Sequence, residues 1–170
     1  TGKTTIAEYI AGVLGLDGDY EQLTASSSWT SQELIGGYQP VGDGKIGFVP
    51  GAILRNFDKP IIIDELNRCP IDRAFGPLFS ILSNQSATLP YRLCVEDEES
   101  PFHVIWPEAK NDRQAHEWFP QHRWRLIATL NTIDKSQLGQ ISFALSRRFA
   151  WIKIGIPSDL NLFVTSYLSR

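Results

Sequence analysis

The segment that decides the fold reads Ile61-Ile62-Ile63-Asp64-Glu65-Leu66-Asn67-Arg68. Three β-branched residues in a row, without alternating polar positions, are typical of a parallel strand that is buried on both faces. The strand ends in two adjacent acids, Asp64 and Glu65. Because ligands of open α/β sheets bind beyond the carboxyl ends of the strands, we expect both carboxylates at a binding site.

The first residues of the chain, Thr1-Gly2-Lys3-Thr4-Thr5, match the end of the phosphate-binding loop G-x-x-x-x-G-K-[ST]. In such a loop, backbone N–H groups and a helix N-terminus hold phosphate oxygens. All five residues are therefore candidate nucleotide-binding residues. Lys3 would reach the β- and γ-phosphates, and the Thr4 hydroxyl would take one Mg²⁺ position. We expect the glycine that opens this loop to precede Thr1.

The two acids fit the metal and proton chemistry that nucleotide hydrolysis requires. Asp64 would hold Mg²⁺, directly or through water. Glu65 would polarise the attacking water, a role in which a positioned base contributes about 10²–10⁴-fold. The alternative is that both acids only cap the following helix. Their place after a triple-isoleucine strand, far along the chain from Thr4, favours the hydrolytic roles.

The composition bounds the class of protein. At 170 residues with 42% hydrophobic content, the chain is long enough for one globular domain with a core. Its net charge of −3 excludes a basic surface that would by itself attract nucleic acid or an anionic membrane. Cys69 and Cys94 form no C-x-x-C motif and fit reduced thiols. No apolar run approaches the ~20 residues that span a bilayer. We therefore expect a cytoplasmic protein without a membrane partner.

Apolar periodicity predicts helices and strands that alternate along the chain, which indicates an α/β sheet. Ile6, Ile10 and Leu14 recur at helical spacing, and Gly15 suits the end of that helix. Residues 30–33 have the form of a capping box. The other predicted elements are strands at 20–25, 124–130 and 150–156, helices at 51–57, 75–82, 142–148 and 160–168, a hairpin within 38–48, and an irregular insertion at about 86–122.

Four segments in this order resemble the AAA+ ATPases. They are Gly2-Lys3-Thr4, the acidic segment at 61–68, L-I-A-T-L-N-T at 126–132 and A-L-S-R-R-F at 144–149. The resemblance is closest to the branch that holds the McrB-type restriction NTPases, the dynein-related and midasin-like modules, and the MoxR ATPases. Residues 34–40, L-I-G-G-Y-Q-P, look like the insert that this branch carries in its second helix.

The resemblance implies the fold of a P-loop NTPase, a three-layer parallel sheet with helices on both faces. Residues 1–157 would be the nucleotide-binding core, with the insertion at about 86–122. Residues 158–170 would begin a C-terminal helical lid. The central first strand, which precedes the phosphate loop in the family, and most of the lid are expected to lie outside this sequence, leaving a slot in the sheet.

The resemblance also implies roles for five further residues. Asn131 matches the sensor that ends a central strand and helps orient the hydrolytic water. Arg147 or Arg148 matches the arginine finger that reaches the nucleotide of a neighbouring subunit, and the sequence leaves open which of the two it is. Asn67 and Arg68 match positions that flank the active site, where an electrostatic or interface role is expected.

The sequence therefore predicts Mg²⁺-dependent ATP binding and hydrolysis by an oligomeric module. The resemblance implies a ring, with a hexamer expected, that remodels or translocates an unidentified protein or nucleic-acid client. GTP stays open as the nucleotide, because the McrB-type restriction subunits use it. A nucleotide-bound scaffold without turnover is a further alternative, which Glu65, Asn131 and the paired arginines disfavour. A P-loop kinase is disfavoured because the two acids and the arginine element point to water as the acceptor.

Overall fold

The computed structural model of the protein describes residues 2–131, 143–155, 158–159, 161–162 and 164–165. None of the helices in these ranges is long and apolar enough to cross a bilayer. In chain order the elements are α1 (Lys3–Leu14), β1 (Glu21–Thr24), α2 (Ser31–Leu34), β2 (Gly36–Gly42), β3 (Lys45–Pro50), α3 (Ala52–Arg55), β4 (Ile61–Asp64), α4 (Ile71–Ile81), β5 (Ala87–Arg92), β6 (Phe102–Ile105), β7 (Glu117–Trp118), β8 (Leu126–Ala128) and α5 (Phe143–Ser146).

Strand β4 is the middle strand of the main sheet. The strand order is β1-β4-β8, and both pairings are parallel. Ile61, Ile62 and Ile63 are each 0% exposed, which confirms the prediction of a strand buried on both faces. Full burial of each of these side chains contributes about 1.5–3 kcal/mol to folding. The main sheet is therefore organised around the triple-isoleucine segment.

The two faces of β4 are covered by different layers, because successive side chains of a strand point in opposite directions. Ile62 packs against Ala7 and Ala11 of α1. Ile61 and Ile63 belong to the larger core on the other face. The small side chains of α1 let the helix approach the sheet closely. Helices thus lie on both faces of a parallel sheet, which confirms the predicted α/β fold.

Helix α4 supplies much of the larger core through its buried residues Ile71, Ala74, Phe75, Leu78 and Ile81. It begins four residues earlier than the helix predicted at 75–82. The earlier start follows from Pro70, whose carbonyl accepts the N–H groups of the first turn.

Two smaller sheets lie beside the main one. The predicted hairpin at 38–48 is present as β2 and β3, in which Tyr38 pairs with Phe48. The predicted insertion at about 86–122 contains the three-stranded sheet β5-β6-β7. The two units are in contact, since the rings of Phe48 and His103 lie 4.3 Å apart. The Tyr38 hydroxyl also accepts a hydrogen bond from the Arg92 N–H at 2.6 Å. Burial lowers the pKa of His103.

The predicted strand at 150–156 is wrong for its described part, because residues 150–155 form no regular secondary structure. A cavity of about 350 Å³ lies between these residues and β8, and it is lined by Ile127–Leu130 on one side and Trp151–Ile154 on the other. Without an adjacent strand the segment cannot form ladder hydrogen bonds.

Other boundaries differ less. The strand predicted at 124–130 is shorter and spans Leu126–Ala128. The helix predicted at 51–57 is present as Ala52–Arg55. The capping box at 30–33 is formed, and the hydrogen bond from the Thr30 side chain lowers the pKa of Glu33. Most of the helix predicted at 160–168, and residue 142 of the preceding one, lie outside the described residues.

Gly51 gives the first prediction, because the backbone of α2 passes close to it. A Cβ at Gly51 would lie 2.5 Å from the carbonyl carbon of Leu34. A Cβ at Gly76 of α4 would meet no atom within 4 Å. We expect Gly51→Ala to lower the free energy of unfolding by about 1–3 kcal/mol through overpacking. Gly76→Ala is the control, and we expect it to raise that free energy by about 0.5–1 kcal/mol. Thermal unfolding of the two variants tests this, and equal melting temperatures would contradict the α2–α3 packing.

Candidate functional site at the end of strand β4

The carboxylate of Asp64, the last residue of β4, is hydrogen-bonded to α1 and to the residue that follows β8. The Thr4 hydroxyl donates a hydrogen bond to Asp64 Oδ1 at 3.0 Å, across 60 positions of the chain. The Thr129 hydroxyl, just beyond the end of β8, donates to the same oxygen. The predicted metal residues Thr4 and Asp64 are thus brought together by the tertiary structure.

The N-terminus of α1 faces the same region. Gly2 is its N-cap residue and adopts a left-handed conformation, with φ of 70°. The first turn contains no acidic residue, so the helix dipole favours an anion there. Lys3 is half-buried and lines the 350 Å³ cavity, while Thr5 is exposed. Thr1 lies outside the described residues.

The donor set at Asp64 fits Mg²⁺. This ion takes oxygen ligands and commonly keeps several waters, so it needs only one or two ligands from the protein. The Thr4 hydroxyl and the Asp64 carboxylate are both oxygen donors, and their oxygens are 3.0 Å apart. These two side chains are therefore the residues that could hold the ion.

Glu65 sits in an unusual backbone conformation. Its φ and ψ of 53° and 46° are left-handed, and a 3₁₀ turn at Leu66–Arg68 follows it. A non-glycine residue in this region costs about 1–2 kcal/mol, so surrounding contacts must hold it. The turn aims the Glu65 side chain differently from that of Asp64, although the two residues are adjacent. One acid can therefore serve the metal while the other serves a water.

The Glu65 carboxylate has a partner on each oxygen. Oε1 accepts a hydrogen bond from Asn131 Nδ2 at 3.2 Å, across 66 positions of the chain. Oε2 forms an ion pair with Arg68 Nε. The structure therefore brings the predicted base and the predicted sensor into direct contact. It also gives Arg68 a specific electrostatic partner, which the sequence alone did not identify.

Asn67 supports this arrangement from within the protein. It is 4% exposed, and its Oδ1 accepts a hydrogen bond from the Asn131 N–H at 3.4 Å. The two asparagines therefore connect the turn at residues 64–68, called the acidic turn below, to the segment that follows β8. An interface role for Asn67, one of the two roles expected from the sequence, does not fit this burial.

The two candidate arginines lie elsewhere. Arg148 Nε donates to the Phe79 carbonyl oxygen at 2.9 Å and to Ser83 Oγ at 2.7 Å. Arg148 also lines a cavity of about 730 Å³ with Leu126, the first residue of β8. This is the opposite end of the strand from the carboxylates. Arg147 is exposed. Neither arginine contributes to the carboxylate cluster of its own chain.

Thr129 is the residue of this site that the sequence reasoning missed. It is 6% exposed, and its hydroxyl contacts both Asp64 and the Glu65 N–H. The available signal was its spacing, because residues two apart in an extended segment face the same side. Thr129 stands two positions before Asn131, so this spacing would have placed both side chains on the same side.

Among known protein families, one family model matches most of the chain. A family model described as "AAA domain (dynein-related subfamily)" matches residues 1–149. This range includes every residue of the site, together with Arg147 and Arg148. No curated protein matches the chain.

The thiol next to the acidic turn gives a prediction about reactivity. Cys69 is buried, and this burial raises the pKa of its thiol to about 11. At pH 8 only about one thiol in a thousand would then be ionised, and the thiolate is the reactive form. We expect iodoacetamide to label the exposed Cys94 and to spare Cys69 in the folded protein. Mass spectrometry of digested protein measures this, with denaturant as the control in which both cysteines react. Equal native rates would contradict the burial of Cys69.

Proposed function

Because the chain belongs to the dynein-related subfamily of AAA domains, we propose that it hydrolyses ATP with Mg²⁺ at the end of β4. One observation carries the proposal. Side chains 60 and 66 positions apart meet there in two pairs, Thr4 with Asp64 and Asn131 with Glu65. These pairs combine a metal site with a positioned base, and hydrolysis of a nucleoside triphosphate needs both.

Binding uses the N-terminus of α1. Lys3 and the N–H groups of the first turn hold the phosphate oxygens, and the Thr4 hydroxyl and Asp64 hold Mg²⁺. The ion supplies positive charge that offsets the charge developing on the phosphates. In this proposal the described residues hold the phosphates and the metal but do not recognise the nucleobase, so GTP is the alternative substrate.

Glu65 acts on water. Its carboxylate accepts a proton as the water oxygen bonds to the γ-phosphorus, and the bond from phosphorus to the leaving diphosphate oxygen breaks. Asn131 holds Oε1, so Oε2 is the oxygen that turns to the water. Oε2 must first leave Arg68, whose side chain is 58% exposed. Water can solvate the guanidinium that Oε2 releases, whereas the Glu65 side chain is 24% exposed and is partly shielded from solvent.

The arginine finger is the residue that makes the site depend on assembly. We assign it to Arg147, because Arg147 is exposed whereas Arg148 is bonded to Phe79 of α4 and to Ser83 just after that helix. An exposed guanidinium can reach the γ-phosphate of a neighbouring subunit without breaking contacts in its own. A finger that acts on the neighbouring subunit requires assembly, and the family resemblance implies a ring, with a hexamer expected, that acts on an unidentified protein or nucleic-acid client.

The other expectations from the sequence remain part of this proposal. Residues 1–157 form the core, and residues 158–170 begin the helical lid. A cytoplasmic location fits Cys69 and Cys94, which are both free thiols. A scaffold without turnover is the second candidate. It is disfavoured because Glu65, Asn131 and the paired arginines are all present, and because Glu65 and Asn131 are hydrogen-bonded to each other as a hydrolytic site needs.

Glu65→Gln tests the proposal directly. The amide keeps the shape and the contact with Asn131 but cannot accept the proton, so we expect turnover to fall by about 10²–10⁴-fold. Phosphate release by the full-length protein, with ATP and GTP at several protein concentrations, measures this. Binding of a fluorescent nucleotide is the control and should be retained. Wild-type protein that binds nucleotide without any turnover would support the scaffold instead.

The two arginines are separated by a matched pair of variants. We expect Arg147→Ala to lower turnover by about 10³-fold without changing the melting temperature. Arg148→Ala removes hydrogen bonds to α4 and should lower stability by about 1–3 kcal/mol. Mixing Arg147→Ala with Glu65→Gln subunits should restore some turnover, because mixed interfaces contain one intact base and one intact finger. Loss of turnover at full stability in Arg148→Ala would assign the finger to Arg148.

A further inference from the structure

Thr129 forms hydrogen bonds to four consecutive residues at the end of β4. Its N–H donates to the Ile63 carbonyl oxygen at 3.0 Å, and its carbonyl oxygen accepts from the Leu66 N–H at 2.9 Å. Its hydroxyl accepts from the Glu65 N–H at 3.1 Å and donates to Asp64 Oδ1. Thr129, a buried residue just after β8, is therefore hydrogen-bonded to every residue from 63 to 66.

The hydroxyl and the backbone of Thr129 hold different parts of this turn. The two backbone bonds, to Ile63 and Leu66, hold the turn at its ends. The hydroxyl holds the middle, where Glu65 takes its left-handed conformation. Without the hydroxyl, the Glu65 N–H and Asp64 Oδ1 would each lose a partner. The backbone of Glu65 would then keep the bond from the Arg68 N–H to its carbonyl oxygen and the bonds of Thr129 to Ile63 and Leu66, but its own N–H would have lost its acceptor.

The chemistry at this position requires a hydroxyl. A hydroxyl carries one proton to donate and two lone pairs to accept, so it can bond to Asp64 and to the Glu65 N–H at once. A valine has the same shape as threonine but offers neither. The branched side chain also restricts χ1, so the threonine hydroxyl is held in one orientation more firmly than a serine hydroxyl would be.

We propose that Thr129 is a positioning residue, whose hydroxyl sets the Asp64 and Glu65 carboxylates in the relative orientation that hydrolysis needs. The inference rests on the proposed function, because it assumes that Asp64 holds Mg²⁺ and Glu65 acts on water. Thr129 itself touches neither the nucleotide nor the water. It acts on the two acids through a carboxylate oxygen of Asp64 and the backbone of Glu65.

The test compares Thr129→Val with Thr129→Ser in the full-length protein. We expect Thr129→Val to lower kcat by about 10- to 100-fold, since a misplacement of about 1 Å costs this much. The Mg²⁺ concentration for half-maximal turnover should rise, while binding of fluorescent ATP without Mg²⁺ should stay within about threefold. Thr129→Ser should keep kcat within about threefold, because it restores both hydrogen bonds.

A structural readout keeps the inference independent of activity. Hydrogen–deuterium exchange of a peptide covering residues 61–68 reports on the Glu65 N–H, which loses its acceptor in Thr129→Val. We expect faster exchange there in the valine variant and near-normal exchange in the serine variant. Unchanged exchange or unchanged kcat in Thr129→Val would overturn the inference. Equal losses of kcat and of ATP binding without Mg²⁺ would also overturn it, because they indicate a general structural role.

Glu65→Gln, measured in parallel, distinguishes a failure of the positioning role of Thr129 from a failure of the proposed hydrolysis. If Glu65→Gln loses turnover and Thr129→Val does not, the positioning role is wrong and the proposed hydrolysis stands. If Glu65→Gln keeps wild-type turnover, the assignment of the base fails, and the inference about Thr129 fails with it.

Discussion

The parallel pairing of β4 with β8 is the interaction on which the site depends. Each strand is short, and neither carries the site alone. The pairing sets Ile63 opposite Ala128, so that Asp64 and Thr129 leave the sheet side by side. Burial of the isoleucines on both faces of β4 stabilises the register, because a slip of one residue would carry the charged Asp64 toward the buried part of the strand. The geometry of the acids follows from this packing.

The polar cluster beyond these strands is satisfied by its own members. Thr129 and Asn67 are 6% and 4% exposed, and both are hydrogen-bonded to residues of the cluster. Buried polar groups without partners are costly, so a nearly complete network supports one rigid arrangement. Glu65 is the strained member, and its conformation is maintained by neighbours on both sides. Strain of this kind concentrates at functional sites, which agrees with a role for Glu65 in the reaction.

Local patterns were predictable wherever a short segment determines its own structure. The capping box at 30–33 and the hairpin around 38–48 are present because side chains within a few positions decide them, whereas the strand at 61–64 is present because its apolar run has a parallel strand on each side. The strand predicted at 150–156 failed, because a strand depends on a neighbour and a cavity lies beside residues 151–154. Thr129 was overlooked for a related reason, since its partners at 63–66 are distant in the chain.

The sequence by itself determined the kinds of group that the site contains. A lysine and hydroxyls at a helix start, and two acids after an apolar strand, already indicated phosphate, metal and water chemistry. The tertiary structure alone decided the partners. Asn131 bonds to Glu65, Arg68 pairs with the same carboxylate, and Arg148 is bonded to α4 while Arg147 stays exposed. The physical reason is that hydrogen bonds between distant residues form only after burial of the strands has fixed their ends.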